Sequence, residues 1–204
     1  MNIVFYGDSN TYGYNPIGDR YTDRFTNILK NKYLGKHNIY NEGLVGRTTI
    51  YDDIRPNRKA INDIEKIINK YDKIDLLVIM LGTNDYKKNN ARSLKDLEIS
   101  MNSFLNKISN IKNIILISPI HLSNNISNLD LEYDDLSYEL SVNAKKVYKK
   151  IANENNYLFL DASLYASHGI DGEHIDLYGH KNIAEAIYNL IELSFNWIKK
   201  INVL

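Results

Sequence analysis

The run "IDLLVIML" at positions 74–81 constrains the fold more than any other stretch of the chain. It carries one charge in eight residues and no polar–apolar alternation, so it cannot present one sheet face to water. It reads as a central strand covered on both sides. Four further runs of strand character, each ended by turn residues, lie at 3–6, 38–40, 113–120 and 157–160. Helical stripes separate them. Phe25, Ile28, Leu29 and Tyr33 share one face; Ile61, Ile64, Ile68 and Tyr71 a second; Leu94, Leu97, Met101, Leu105 and Ile108 a third; Leu140, Ala144, Val147 and Ile151 a fourth. A long helix over 182–200 carries Ile183, Ile187, Leu190, Ile191, Phe195 and Ile198.

Strands alternating with helices predict parallel strands joined by right-handed crossovers. The expected fold is therefore α/β: a three-layer α/β/α sandwich around a central, mostly parallel five-stranded sheet, flavodoxin-like in layout. No repeat or low-complexity linker divides the 204 residues, a length that suits one domain over 1–204. The polar stretch 123–135 reads either as an ordinary surface excursion or as an inserted loop or lid.

Twenty-five basic residues balance twenty-five acidic ones, so no net field favours nucleic acid or an anionic membrane, and a small-molecule partner is expected. With no cysteine, disulfides, thiolate metal sites and a cysteine nucleophile are all excluded. The chain reaches Gly7-Asp8-Ser9 without a leader-type segment, and no apolar run approaches the roughly 18 residues of a membrane span. A cytoplasmic protein without membrane insertion is expected, and self-association is left open.

Open α/β sheets bind ligands beyond the carboxyl ends of their strands. Polar blocks stand at those places here: "GDSN" after the first strand, "NEGLVGRTT" after the second, "GTND" after the third and "DGEHID" after the fifth. A serine hydroxyl such as Ser9 becomes a nucleophile only when a base takes its proton and a third group orients that base. Of the five histidines, His37 and His168 read as ordinary surface or core residues. His174 has Asp171 three positions before it in a glycine-containing loop, where the carboxylate can bend back to the imidazole. Oxyanion donors are available from the Ser9 and Gly43 backbones and the Asn84 side chain.

Other residues read more plainly. His180 packs or caps at the start of the last helix, and Arg47 steadies a loop or meets substrate. Asp8 and Asp85 fix loops as hydrogen-bond acceptors. In a rival reading from another class, a non-catalytic flavodoxin-like binding domain, they would instead form an acidic metal pocket. Tyr12, Tyr14 and Tyr86 neighbour the polar blocks and are expected to line a pocket.

The four blocks, in this order, resemble those of the SGNH hydrolases, also called the GDSL esterase/lipase family. "GDSNTYG", "GLVGRTT" and "VIMLGTNDYK" are most similar to its arylesterase and acyltransferase branch. The resemblance implies an SGNH hydrolase fold and a serine esterase that hydrolyses or transfers short acyl groups, with no metal or cofactor. Ser9 would be the nucleophile, His174 the base, Asp171 its orienter, and Ser9, Gly43 and Asn84 the oxyanion hole. A carbohydrate O-acetyl esterase, a lysophospholipase or thioesterase, and an inactive interaction module remain alternatives. Asn10 departs from the family's usual signature, which has Leu there. The second glycine of an α/β-hydrolase elbow is also missing, because Thr11 stands in its place.

Overall fold

The computed structural model describes the backbone of residues 1–201 and the side chains of residues 1–194. Strands β1 (Asn2–Gly7), β2 (Asn38–Gly43), β3 (Leu76–Met80), β4 (Ile114–Ser118) and β5 (Leu158–Asp161) form one sheet in the order β2-β1-β3-β4-β5. Every neighbouring pair is parallel. The 74–81 run becomes β3, buried along its whole length, with Asp75 and Leu81 just outside the strand.

Side-chain alternation along the strands divides the interior into two layers. Val4 and Tyr6 of β1 and Leu77 and Ile79 of β3 face one layer. There they meet α3 (Ala60–Ile68), α4 (Leu94–Leu105) and α6 (Asp135–Asn155). Ile3 and Phe5, with Leu76, Val78 and Met80, face the other, against α2 (Phe25–Ile28) and α7 (Leu177–Ile201). The α/β sandwich expected from the sequence is thus present, with all five strands parallel.

Several element ends differ from the sequence reading, each for a local reason. The first helical stripe forms only a four-residue helix, α2, continued by a π-type turn over Leu29–Tyr33. In α3 the fully buried stripe is Ala60, Ile64 and Ile67, because the helix starts at Ala60 and ends at Ile68, leaving Tyr71 outside it. The long α6 starts at a capping box between Asp134 and Ser137 and stops at Asn156, whose φ is 58°. The last helix starts five residues earlier than expected, at Leu177, where Asp176 Oδ1 accepts the Gly179 N–H at 2.6 Å. The expected core positions Phe195 and Ile198 lie outside the residues whose side chains are described.

The segment 123–135 is no loose excursion. It contains the short helix α5 (Ile126–Leu129), buries Ile126 and Tyr133, and bonds the Ser123 N–H to the Gly172 carbonyl at 2.7 Å. It forms a wall beside the loop that bears His174. Among the described residues no helix is long and apolar enough to cross a membrane.

Candidate active site

The sheet order reverses between β1 and β3, the place where a crevice opens in doubly wound folds. β1 ends at Gly7, and Asp8 turns the chain into a short helix, α1 (Ser9–Tyr12). The buried Asp8 carboxylate accepts the Asn10 N–H at 3.0 Å and the Thr83 N–H at 3.3 Å, tying the loops after β1 and β3 together. Ser9 therefore stands at the first position of α1, directly in the crevice. As the first residue of a helix, its own N–H has no intrahelical acceptor.

His174 arrives on the loop before α7. One carboxylate shapes both loop and ring: Asp171 Oδ1 accepts the Glu173 and His174 N–H groups at 3.1 Å each, and Oδ2 bonds His174 Nδ1 at 2.6 Å. Engaging Nδ1 leaves Nε2 as the free ring nitrogen. Burial works to lower the His174 pKa. The Asp171 hydrogen bond, with the Glu173, Asp171 and Asp8 charges, outweighs it and leaves the imidazole above its ordinary value. Burial likewise opposes the charge of Asp171, yet its bonds to His174 hold it below the usual aspartate value. The Tyr14 ring packs on the imidazole with centroids 4.5 Å apart. Among the described residues no hydrogen bond joins Ser9 Oγ to His174 Nε2; in structures without substrate, nucleophile–base bonds are often long.

Asn10, the departure from the family signature, braces this loop. Its Oδ1 accepts the Ile175 N–H at 2.8 Å and its Nδ2 donates to the Glu173 carbonyl at 3.4 Å, so it holds the backbone on both sides of His174. Nothing in the sequence signalled this role, since the partners lie far along the chain.

Asn84 sits in a tight turn, Thr83–Tyr86, after β3. One hydrogen of its amide goes to the Arg47 carbonyl at 3.1 Å, which leaves the other for a ligand. Gly43 behaves differently from the expectation. Its N–H donates to Asn41 Oδ1 at 3.0 Å, and the residue is not among those lining the cavity that Ser9, Asn84, Asp171 and His174 share. Its lack of a side chain serves packing, because a Cβ there would fall 2.1 Å from the Tyr12 nitrogen. Gly46, three residues on, does line the cavity. It has φ 78°, and among the described residues no hydrogen bond takes its N–H. The second glycine of "GLVGRTT" was the available signal.

Arg47 is a clasp. Buried, it donates to the carbonyls of Gly7 (2.7 Å) and Glu42, pairs with Asp63 at 2.9 Å and stacks over Tyr6. Asp8 and Asp85 act as loop acceptors, with Asp85 taking the Thr49 N–H at 2.9 Å and the Thr49 hydroxyl. Among the described residues no group of three or more His, Asp or Glu could hold a metal ion. His180 is a core residue on Phe25 and Tyr21, its pKa lowered to about 3 chiefly by burial. Of the three tyrosines expected at a pocket, only Tyr14 lines it. Tyr12 lies under the Arg20 guanidinium and Tyr86 is in the core.

The cavity measures about 330 Å³, and charged side chains dominate its walls: Arg55, Lys87, Asp130, Glu132 and Glu173. Lys87 bridges Asp53 (2.7 Å) and Glu132 (2.8 Å), and Arg55 pairs with Asp53 at 2.7 Å. Burial opposes the charge on Asp53, but the bonds from Arg55 and Lys87 hold its carboxyl far below the usual range.

A family model described as GDSL-like Lipase/Acylhydrolase family matches residues 5–182. No curated protein sequence matches the chain. Among solved structures, one described as an arylesterase from Agrobacterium tumefaciens str. C58 is 26% identical, with a TM-score of 0.84 over 94% of this chain and 98% of that one. A carbohydrate acetylesterase family member from Sinorhizobium meliloti is 24% identical, with a TM-score of 0.85 over 94% and 97%. The aryl esterase of M. smegmatis is 22% identical, with a TM-score of 0.85 over 94% and 98%. The last two likenesses bear on the fold alone.

Proposed function

The chain belongs to the GDSL-like lipase/acylhydrolase family, hydrolases acting on ester bonds, and from that premise we propose that it cleaves short acyl esters of small alcohols by way of an acyl-enzyme on Ser9. The observation that carries this reading is the convergence of Ser9, Asn84, Asp171 and His174 on one cavity of about 330 Å³. That volume is at the lower end of the roughly 300–1,000 Å³ usual for ligand sites, which favours a short acyl chain over a lipid tail.

In the proposed sequence, His174 Nε2 takes the Ser9 Oγ proton as the oxygen attacks the acyl carbonyl. The developing oxyanion is met by the Ser9 N–H, the Asn84 amide and the Gly46 N–H, the last replacing Gly43 as backbone donor. When the tetrahedral species collapses, His174 returns its proton to the leaving alcohol. Water then gives a proton to His174 and attacks the acyl-enzyme; as the second tetrahedral species breaks its bond to Ser9 Oγ and releases the acid, His174 returns that proton to Ser9 Oγ. An alcohol in place of water completes a transfer instead of a hydrolysis.

The test is active-site labelling with a fluorophosphonate alongside hydrolysis of p-nitrophenyl acetate. Labelling at Ser9, and loss of at least about 10³-fold in rate in Ser9→Ala, are the expected outcome. A Ser9→Ala enzyme of undiminished activity would overturn the reading.

A further inference from the structure

Glu173 immediately precedes His174 and is 9% exposed, yet its carboxyl group lines the cavity. Its Oε1 accepts the Tyr133 hydroxyl at 2.9 Å. Among the described residues no hydrogen bond reaches its Oε2. A carboxylate has about four acceptor positions. The protein fills one of them from Tyr133 and leaves others toward the cavity that the residue lines. A carboxyl group so placed can take a donor from a bound ligand.

Its position says which part of a ligand. Oε1 stands 3.9 Å from His174 Nε2, the atom that in the proposed mechanism hands a proton to the leaving alcohol oxygen. Besides Ser9 Oγ and the water of the second step, the oxygen that comes within hydrogen-bond reach of Nε2 is that of the leaving alcohol, the alcohol half of the ester. A carboxyl group beside that oxygen meets whatever the neighbouring carbon of the alcohol carries. A hydrocarbon there leaves the acceptor empty, whereas a hydroxyl fills it.

Resting on the serine-esterase reading above, the geometry points to Glu173 as the specificity-determining residue that selects esters of polyols, alcohols with a second hydroxyl next to the esterified one, by accepting a hydrogen bond from that hydroxyl. The neighbouring walls agree in kind. Arg55, Lys87 and Glu132 offer further polar partners to a hydroxylated alcohol, while Val45 and Leu129 supply apolar surface elsewhere in the cavity.

The experiment compares kcat/KM for glyceryl monoacetate with kcat/KM for propyl acetate, which has the same acyl group and carbon count without the hydroxyls. It is run in the wild type, Glu173→Gln and Glu173→Leu. Gln retains the size and an acceptor for Tyr133, so one variant keeps its fold even if Leu does not. The wild type is expected to favour glyceryl monoacetate. The ratio of the two constants should fall roughly tenfold in Glu173→Gln and further in Glu173→Leu, the scale of one lost charged hydrogen bond. A ratio equal in all three proteins, or a wild type that prefers propyl acetate, overturns the assignment and leaves the esterase reading standing. A wild type that hydrolyses neither ester and is not labelled at Ser9 overturns both.

Discussion

At the scale of single residues, the chemistry rests on how one carboxylate divides its oxygens. Asp171 spends Oδ1 on the loop backbone and Oδ2 on His174 Nδ1, so shape and tautomer come from the same side chain. The raised His174 pKa has a consequence for rate. In the proposed mechanism His174 acts as base only as the neutral imidazole, so the acidic limb of kcat/KM for p-nitrophenyl acetate should have its midpoint above the ordinary histidine value of about 6.5. Asp171→Asn removes the partner that raises it, so the limb should move to lower pH while the plateau falls by roughly 10²–10⁴. A pH–rate series on both proteins checks the sign. Much of this was legible in the sequence, because D-x-x-H is a local pattern whose geometry a loop can satisfy alone. The cavity-facing carboxyl of Glu173 was not, since its setting depends on Tyr133 from another element.

Between elements, the link that matters is the one Asn10 makes from α1 to the loop before α7. Replacing it by the leucine usual in the family signature would leave the Ile175 N–H and the Glu173 carbonyl without partners in a buried place. Asn10→Leu should cost about 1–3 kcal/mol in chemical denaturation. It should also lower kcat for p-nitrophenyl acetate more than it raises KM, because His174 would lose its fixed approach to Ser9. Unchanged kinetics in a stable Asn10→Leu protein would show that the loop holds itself. Element types were readable from apolar pattern, the unbroken run of β3 and the helical stripe of α6. Their ends were not, because caps such as Asp176 at α7 and the π-type turn after α2 depend on local hydrogen bonds that periodicity does not encode. The same limit misdirected Gly43, whose N–H is taken by Asn41 from within β2.

For the molecule as a whole, the buried carboxyl group of Asp85 behind the site sets a pH dependence of stability. Burial, the largest cause, pushes Asp85 up to about 7 against its Thr49 hydrogen bonds, and Asp8 adds to the push. Between the unfolded value of about 4 and the folded value, the native state holds a proton that the unfolded chain has released. Stability from this group is therefore present at low pH and is lost as pH rises through that window. Asp85→Asn keeps an acceptor for Thr49 and cannot titrate. The difference in unfolding free energy should shift in the variant's favour from pH of about 4 to about 7, measured by urea denaturation across the range.

The hydrogen bonds from Asn10 also join positions 165 residues apart, Asn10 and Ile175. During synthesis a chain emerges from its N-terminus, and domains fold as units only when their last pieces are available. Ser9, its strand and the brace Asn10 are made early, but the proposed base and its orienter come only with the loop before α7. In the proposed mechanism, a nascent chain that stops before His174 cannot activate Ser9. Recovery of activity after denaturation becomes a clock for the slowest long-range closure of the fold, not for the formation of its sheet.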